Sequence, residues 1–516
     1  MKYLKTAVGF LLLACLLAVC GEKPQTQAPT APTYKDITKL VLADDGITEN
    51  GAPVSTDSAA AVYTARDIVY YEAGKDFTYG EGSEKDAHTP EEAAAHTVLH
   101  ITQPGAYSLS GKLSLGQIAV DLGDGAEDDP NAVVTLILEG VDITCDVAPA
   151  VIFYNVYECG NGEAAKDVDT SAAGANVVIA DGTVNTVSGS YVERIYKPDT
   201  VVLNEDKTEV EDAKKLHKYD GAFYSKRSMN IFGDTGTLNI HAENEGLDSE
   251  MHLTVNGGNI HITSGNDGIN TNEDGLSVTT VNGGNVTILV TGDTGEGDGI
   301  DSNGYLVING GTVIAAACSH SADAGIDSDM GIHIHGGTVI ATGHMLDRIE
   351  NGGQNYAVFQ FAQTQTGKET VTLKDPDGKV LLETTPENAY SVLIYSSPEL
   401  KAGTYTLWCD GTQLAGSGGG MMGGPGMRPE GMERPEGMER PEGMERPGNM
   451  QPPADFTPPE GGVRPEKPAG DRPEGFGGER PQDFGGNNFG AQALTPDFVI
   501  TDGGAMFRGI SLYDQT

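Results

Sequence analysis

The sequence predicts an all-β protein: a parallel β-helix, then a small antiparallel β-sandwich interrupted by a disordered Gly/Pro/Met-rich loop. Three observations predict it. A tetrapeptide of the form Gly-[Leu/Ile]-[Asp/Asn]-[Ser/Thr] begins at Gly246, Gly268, Gly299 and Gly325. Its copies lie 22, 31 and 26 residues apart, about one turn of a three-sided parallel β-helix. Gly-Gly pairs at 257–258, 283–284, 310–311 and 336–337 bring the flanking apolar residues into columns. Finally, 70 Gly, 1 Trp and 6% aromatic residues suit turn-rich β architecture better than helices.

Each element follows in chain order. Lys2 and Lys5 precede an apolar run from Ala7 to Val19, the pattern of an export signal. Cys20 makes it resemble a bacterial lipoprotein signal, with residues 1–20 removed or lipidated and 21–34 as a tether. Val19 is larger than the residue expected there. Cys15 is a second candidate, and an ordinary cleaved signal remains open. Short β-like runs at 97–102, 106–110, 117–122, 132–138 and 151–156 follow, with Thr89-Pro90-Glu91-Glu92 as a helix start. The β-helix domain is expected over 35–350 and the small β domain over 354–413. Residues 414–492 read as disordered low-complexity sequence. Strands within 493–516 are expected to return to the small domain.

The columns before the Gly-Gly turns read Leu253, Thr279, Leu306, Ile332 and Val255, Val281, Ile308, Ile334. After the turns they read Ile260, Val286, Val313, Val339 and Ile262, Ile288, Ala315, Ala341. Apolar and polar residues alternate, which is strand period. No coil buries its apolar face alone, so stacking drives folding. Asn256, Asn282 and Asn309 fall in one column, where a stacked amide ladder is expected.

The tetrapeptide as a strand points Leu247 and Ser249 inward and Asp248 outward. Acids therefore stack outside the core. One column holds Asp220, Glu245, Asp267, Asp298 and Asp323; the next holds Asp248, Asn270, Asp301 and Asp327. A third runs through Glu250, Asn272, Asn303 and Asp329. Neighbouring carboxylates about 5 Å apart repel by roughly 3 kcal/mol at an effective dielectric near 20. Raised pKa values or bound cations relieve this, and calcium takes the carboxylate and amide oxygens available here. The competing explanation is that Asp and Asn merely favour turns.

Charge narrows the function. A net charge of −43 argues against nucleic acid and against direct contact with an anionic membrane, leaving a lipid anchor as the membrane link. An acidic polymer is held only through a bridging cation. Ser228 to Asp347 contains sixteen Asp or Glu and no Lys or Arg. A lyase base would have to come from Lys226, Arg227 or Arg348. The histidines at 241, 252, 261, 333, 335 and 344 read mostly as outward surface positions. Cys145, Cys159, Cys318 and Cys409 show no metal-ligand spacing; pairing of Cys145 with Cys159 stays open.

The motifs Asp267-Gly-Ile-Asn, Asp298-Gly-Ile-Asp, Asn256-Gly-Gly-Asn-Ile, Asn309-Gly-Gly-Thr-Val and Tyr219-Asp-Gly-Ala-Phe-Tyr-Ser-Lys226 resemble a family of bacterial cell-surface carbohydrate-binding proteins. The family is polysaccharide-lyase-like in fold, and the resemblance spans about 97–413. It implies a right-handed parallel β-helix, bound calcium, and non-catalytic binding of cellulose and of acidic, pectin-type polysaccharide; the chain itself is expected to be a monomer. The sparse aromatics weaken the cellulose part. In the first coil, Ala222 and Phe223 read as replacing the Leu/Ile-Asp pair, leaving Asp220 as its candidate ligand. Two alternatives remain: a calcium-dependent pectate-type lyase, and an adhesin without a glycan ligand.

Overall fold

The computed structural model describes residues 29, 31–160, 162–420 and 494–513. The expected signal, Cys20, most of the tether and the low-complexity residues 421–493 lie outside the described residues.

The fold is nearly all β, in large mixed sheets. The one α-helix among the described residues, Pro90–Ala95, opens with the capping box that Thr89 and Glu92 foretell. Three parallel ladders dominate, and the chain visits them in turn. The first stacks Ala175–Ile179, Met229–Gly233, Leu253–Val255, Val278–Val281, Tyr305–Ile308 and Gly331–Ile334. The second stacks Val184–Gly189, Thr237–Ala242, Asn259–Ser264, Asn285–Val290, Thr312–Ala316 and Thr338–Gly343. The third runs from Thr97–Ile101 through Gly116–Asp121, Val151–Asn155, Gly221–Ser225, Glu245–Ser249 and Ile269–Thr271 to Ile300–Ser302.

The registers are those of the expected apolar columns. Leu253 pairs with Thr279, Thr279 with Leu306 and Leu306 with Ile332. Ile260 meets Val286, then Val313, then Val339. Thr279 is buried, and the other side chains lie in one continuous apolar core. Between ladders one and two the second glycine of each pair has positive φ, as at Gly258 (93°) and Gly284 (82°), which a side chain resists. The tetrapeptide glycines behave differently. None has positive φ among the described residues. A Cβ on Gly268 would stand 2.1 Å from Ile288 Cγ2 and 2.6 Å from the Gly299 carbonyl. Close packing, not turn geometry, demands glycine there.

The amide ladder is present: Asn282 Nδ2 donates to Asn256 Oδ1 and Asn309 Nδ2 to Asn282 Oδ1, each at 2.9 Å. Asn285 and Asn259 form a second one at the same distance.

Beyond the ladders a second core gathers Phe359, Tyr390, Leu407, Phe498 and Phe507. Its strands are mainly antiparallel, and Tyr390–Ser396 pairs with Thr338–Gly343 of the second ladder. Phe498–Ile500 and Ala505–Leu512 join this unit. One boundary shifts. The glycine-rich run after 413, assigned from sequence to the low-complexity segment, is part of the strand Thr412–Gly420. Backbone pairing with Ala505–Leu512 orders it, and a Cβ on Gly416 would meet Ile510 Cδ1 at 2.3 Å. All four described cysteines are free, so Cys145 and Cys159 do not pair.

Candidate functional site

The third ladder carries the tetrapeptides, and its register sets the site. Asp248 stands opposite Asn270, and Asn270 opposite Asp301. Asp327 continues the column, its N–H donating to the Ile300 carbonyl at 2.7 Å. The expectation of an exposed acidic face is corrected here. These side chains lie outside the apolar interior, yet most are shut away from water, while Asp298 and Asp327 are half-buried. Glu245 is 6% exposed, Asp248 0%, Asp267 9%, Asn270 7% and Asp301 6%. Segments outside the tetrapeptides close the face. Arg194 Nη2 reaches Asp220 Oδ2 at 3.0 Å, and Lys218 Nζ lies 3.9 Å from Glu250 Oε2.

Burial reshapes the electrostatics. Loss of hydration, reinforced by neighbouring carboxylates, pushes the Glu245 carboxyl up to about 8 and that of Asp298 up to about 10. Burial, with Asp301 and Asp347 next, raises Asp327 to about 7. Asp248 and Asp267 rise well above the carboxylate range for the same reasons.

Hydrogen bonds satisfy only half of each group. Asn270 Nδ2 donates to Glu245 Oε1 at 2.9 Å, and Asn272 Nδ2 to Asp248 Oδ1 at 2.6 Å. The Asp298 N–H donates to Asp267 Oδ1 at 2.6 Å, and the Ala324 N–H to Asp298 Oδ1 at 2.5 Å. Glu245 Oε2, Asp248 Oδ2, Asn270 Oδ1 and Asn303 Oδ1 are buried without a protein donor. An orphaned buried acceptor costs about 1–3 kcal/mol. All four are hard oxygen acceptors, which suits a hard cation such as calcium.

The eight candidate ligands divide. One carboxylate oxygen from each of Asp298, Asp301 and Asp327 lies within 4.8 Å of the others. Glu245, Asp248 and Asn270 form the neighbouring group, and Asp267 links the two through its charge on Asp301 and Glu245. Asp323 lies outside the Asp298 trio: its Oδ2 accepts from the Gly297 N–H at 2.7 Å and from Ser321 Oγ, and its charge acts on Asp267.

The first coil is also corrected. Phe223 pairs with Leu247 and Tyr224 with Asp248, so Tyr224, not Phe223, replaces the outward acid. Gly221 rather than Asp220 stands opposite Glu245. Asp220 belongs to Arg194. Sequence reasoning missed Arg194 because it lies 26 residues away with no local signal. It missed Asp347 as well, whose buried Oδ2 is unpartnered and whose charge acts on Asp327. Its signal was its place as the last acid of the Lys/Arg-free stretch. His252 is buried and accepts the Val278 N–H at 3.1 Å on Nδ1, so it is not a surface histidine.

Arg194 acts as a built-in cation at the end of the carboxylate column, and its own ionised form is strengthened chiefly by Asp220. Arg194→Met is expected to destabilise the protein by roughly 2–4 kcal/mol, somewhat under the full cost for a buried pair because Arg194 is partly open. Urea unfolding measures this, and Asp220→Asn in the same background should recover part of the loss.

The candidate lyase bases are each engaged by a neighbour. Arg227 pairs with Glu127, and Arg348 Nε lies 2.6 Å from Glu350. Lys226 Nζ sits over the Tyr154 ring, 4.5 Å from its centroid. By register Lys226 lies one strand spacing from the level of Glu250 beside Asp248, and three, about 14 Å, from that of Asn303 beside Asp301.

A protein of Acetivibrio thermocellus (strain ATCC 27405) described as a carbohydrate-binding domain-containing protein is 30% identical over 165 residues, covering 32% of this chain. The match spans 44% of that relative's length. A solved structure, the polysaccharide lyase-like protein from C. thermocellum as a gadolinium derivative, is 20% identical, with a TM-score of 0.35. It is matched over 61% of this chain and 98% of its own. The profile of one family matches residues 95–375, and by that match the chain belongs to the carbohydrate-binding domain-containing proteins.

Proposed function

We propose that this protein is a non-catalytic, calcium-dependent polysaccharide-binding protein of the cell surface, built on a right-handed parallel β-helix and held by a lipid on Cys20. Three parallel ladders visited in turn support the β-helix. The observation that carries the function is the buried acidic column with orphaned acceptor oxygens. Asp298, Asp301 and Asp327 would hold one ion. Glu245, Asp248 and Asn270, with Asp267 between, would hold another. Bound calcium would neutralise the column and offer coordination to uronate carboxylates. The chain's own part is to fix the oxygens: Asn270 and Asn272 orient two carboxylates, and backbone N–H groups orient Asp267 and Asp298. The engaged bases favour binding over cleavage.

The test is incubation with polygalacturonate in calcium and in chelator. Retention on the polymer is expected in calcium only. Sustained appearance of unsaturated uronide absorbance would instead establish a lyase. For the anchor, Cys20→Ser should move the protein from the membrane fraction to the medium; unchanged membrane retention would sink the lipid assignment.

A further inference from the structure

A second site lies on a different ladder from the carboxylates. A groove of about 420 Å³ runs along the outer face of the first ladder, beneath residues 166–171. That volume falls within the roughly 300–1,000 Å³ typical of ligand sites. The cover is pinned: Thr170 Oγ1 bonds Asn230 Oδ1 at 2.7 Å and Thr254 Oγ1 at 2.8 Å.

The floor is the Asn256, Asn282, Asn309 amide ladder, flanked by Thr254, Thr280 and Val307. A side-chain amide has two N–H donors. Asn282 and Asn309 each spend one on the amide before them, which leaves the second to the groove. The amides therefore repeat once per coil, roughly every 4.8 Å, close to the length of one sugar ring. Beyond Val307 the register continues to His333, whose ring lies 5.7 Å from Tyr305 and 5.9 Å from His335. The charged lining is one lysine, Lys166, against Asp167 and Asp169. Such a groove offers a polyanion no net attraction, whereas spaced amides and hydroxyls match the hydroxyls of a neutral sugar chain.

We infer that this groove binds a short stretch of extended, neutral glycan, separately from the calcium face. The inference rests on the carbohydrate-binding reading. The test titrates the full-length protein, in calcium, with cellohexaose, xylohexaose and mannohexaose, and with hexagalacturonate as the acidic probe. At least one neutral hexasaccharide is expected to bind. Asn282→Ala and Asn309→Ala should each weaken it tenfold or more and leave hexagalacturonate unchanged. Asn285→Ala, the same chemistry in the other amide pair, should leave both unchanged. Shifts of the Asn256, Asn282 and Asn309 side-chain amide resonances on adding the neutral sugar give a readout in the unmutated protein. Neutral binding with no amide shifts and no loss in the variants overturns the groove and leaves the carbohydrate reading standing. So does binding of hexagalacturonate alone. Binding of none of the four sugars overturns both.

Discussion

Calcium added to the chelator-stripped protein should raise its unfolding midpoint, and by more at pH 8 than at pH 5. The buried carboxyls have folded pKa values above their ordinary ones: about 7 for Asp327, 8 for Glu245 and 10 for Asp298. The metal-free fold therefore binds more protons than the unfolded chain, and its stability falls as pH rises through that interval. At about 1.4 kcal/mol per pKa unit, Asp327 alone contributes a loss on the order of 4 kcal/mol between pH 4 and pH 7. Calcium binding needs the ionised ligands, so its affinity grows over the same range. At a hundredfold excess over Kd it adds about 2.7 kcal/mol per site. Differential scanning calorimetry at both pH values, with calcium and with EDTA, checks this. A midpoint indifferent to calcium at both would falsify the metal reading. A stripped protein that gains stability from pH 5 to pH 8 would contradict the buried acids.

Much of the fold was legible because its information is repeated. Four Gly-Gly pairs and four apolar columns each state the same register, so errors at one coil are outvoted by the rest. Thr279 under Leu253 and Ala315 under Ile288 fit although neither is a good core residue alone. The identities of the carboxylates were legible for the same reason. Their burial was not, since Arg194 and Lys218 come from sequence that does not repeat. Nor was the first coil, where Gly221 imitates the tetrapeptide glycine but sits one residue out of step. Asp323 differs in spacing: it precedes its glycine by one residue more than the other acids, and its Oδ2 accepts from the Gly297 N–H.

Gly268→Ala is expected to cost about 3 kcal/mol, at the upper end for overpacking, and to weaken calcium as well. The new methyl would stand 2.1 Å from Ile288 Cγ2 in the second ladder and 2.6 Å from the Gly299 carbonyl in the next coil. Neither neighbour can retreat freely: Ile288 is buried between Ile262 and Ala315, and Gly299 is two residues before Asp301. Relief must come from a shift of the coil, which carries Asn270 and the Asp298–Asp301 pair with it. Gly403→Ala is the control, since its nearest neighbour would be 3.6 Å away, and it should change stability by less than about 0.5 kcal/mol. Gly268→Asn separates the two explanations of the tetrapeptide glycine. A left-handed turn tolerates asparagine, so a mild Gly268→Asn would restore the turn reading, while close packing makes it worse than alanine. Urea unfolding in calcium gives the stabilities, and calcium titration of the variants gives the coupling. Loss of stability with unchanged calcium affinity would mean that the coils bend independently of the carboxylates they carry.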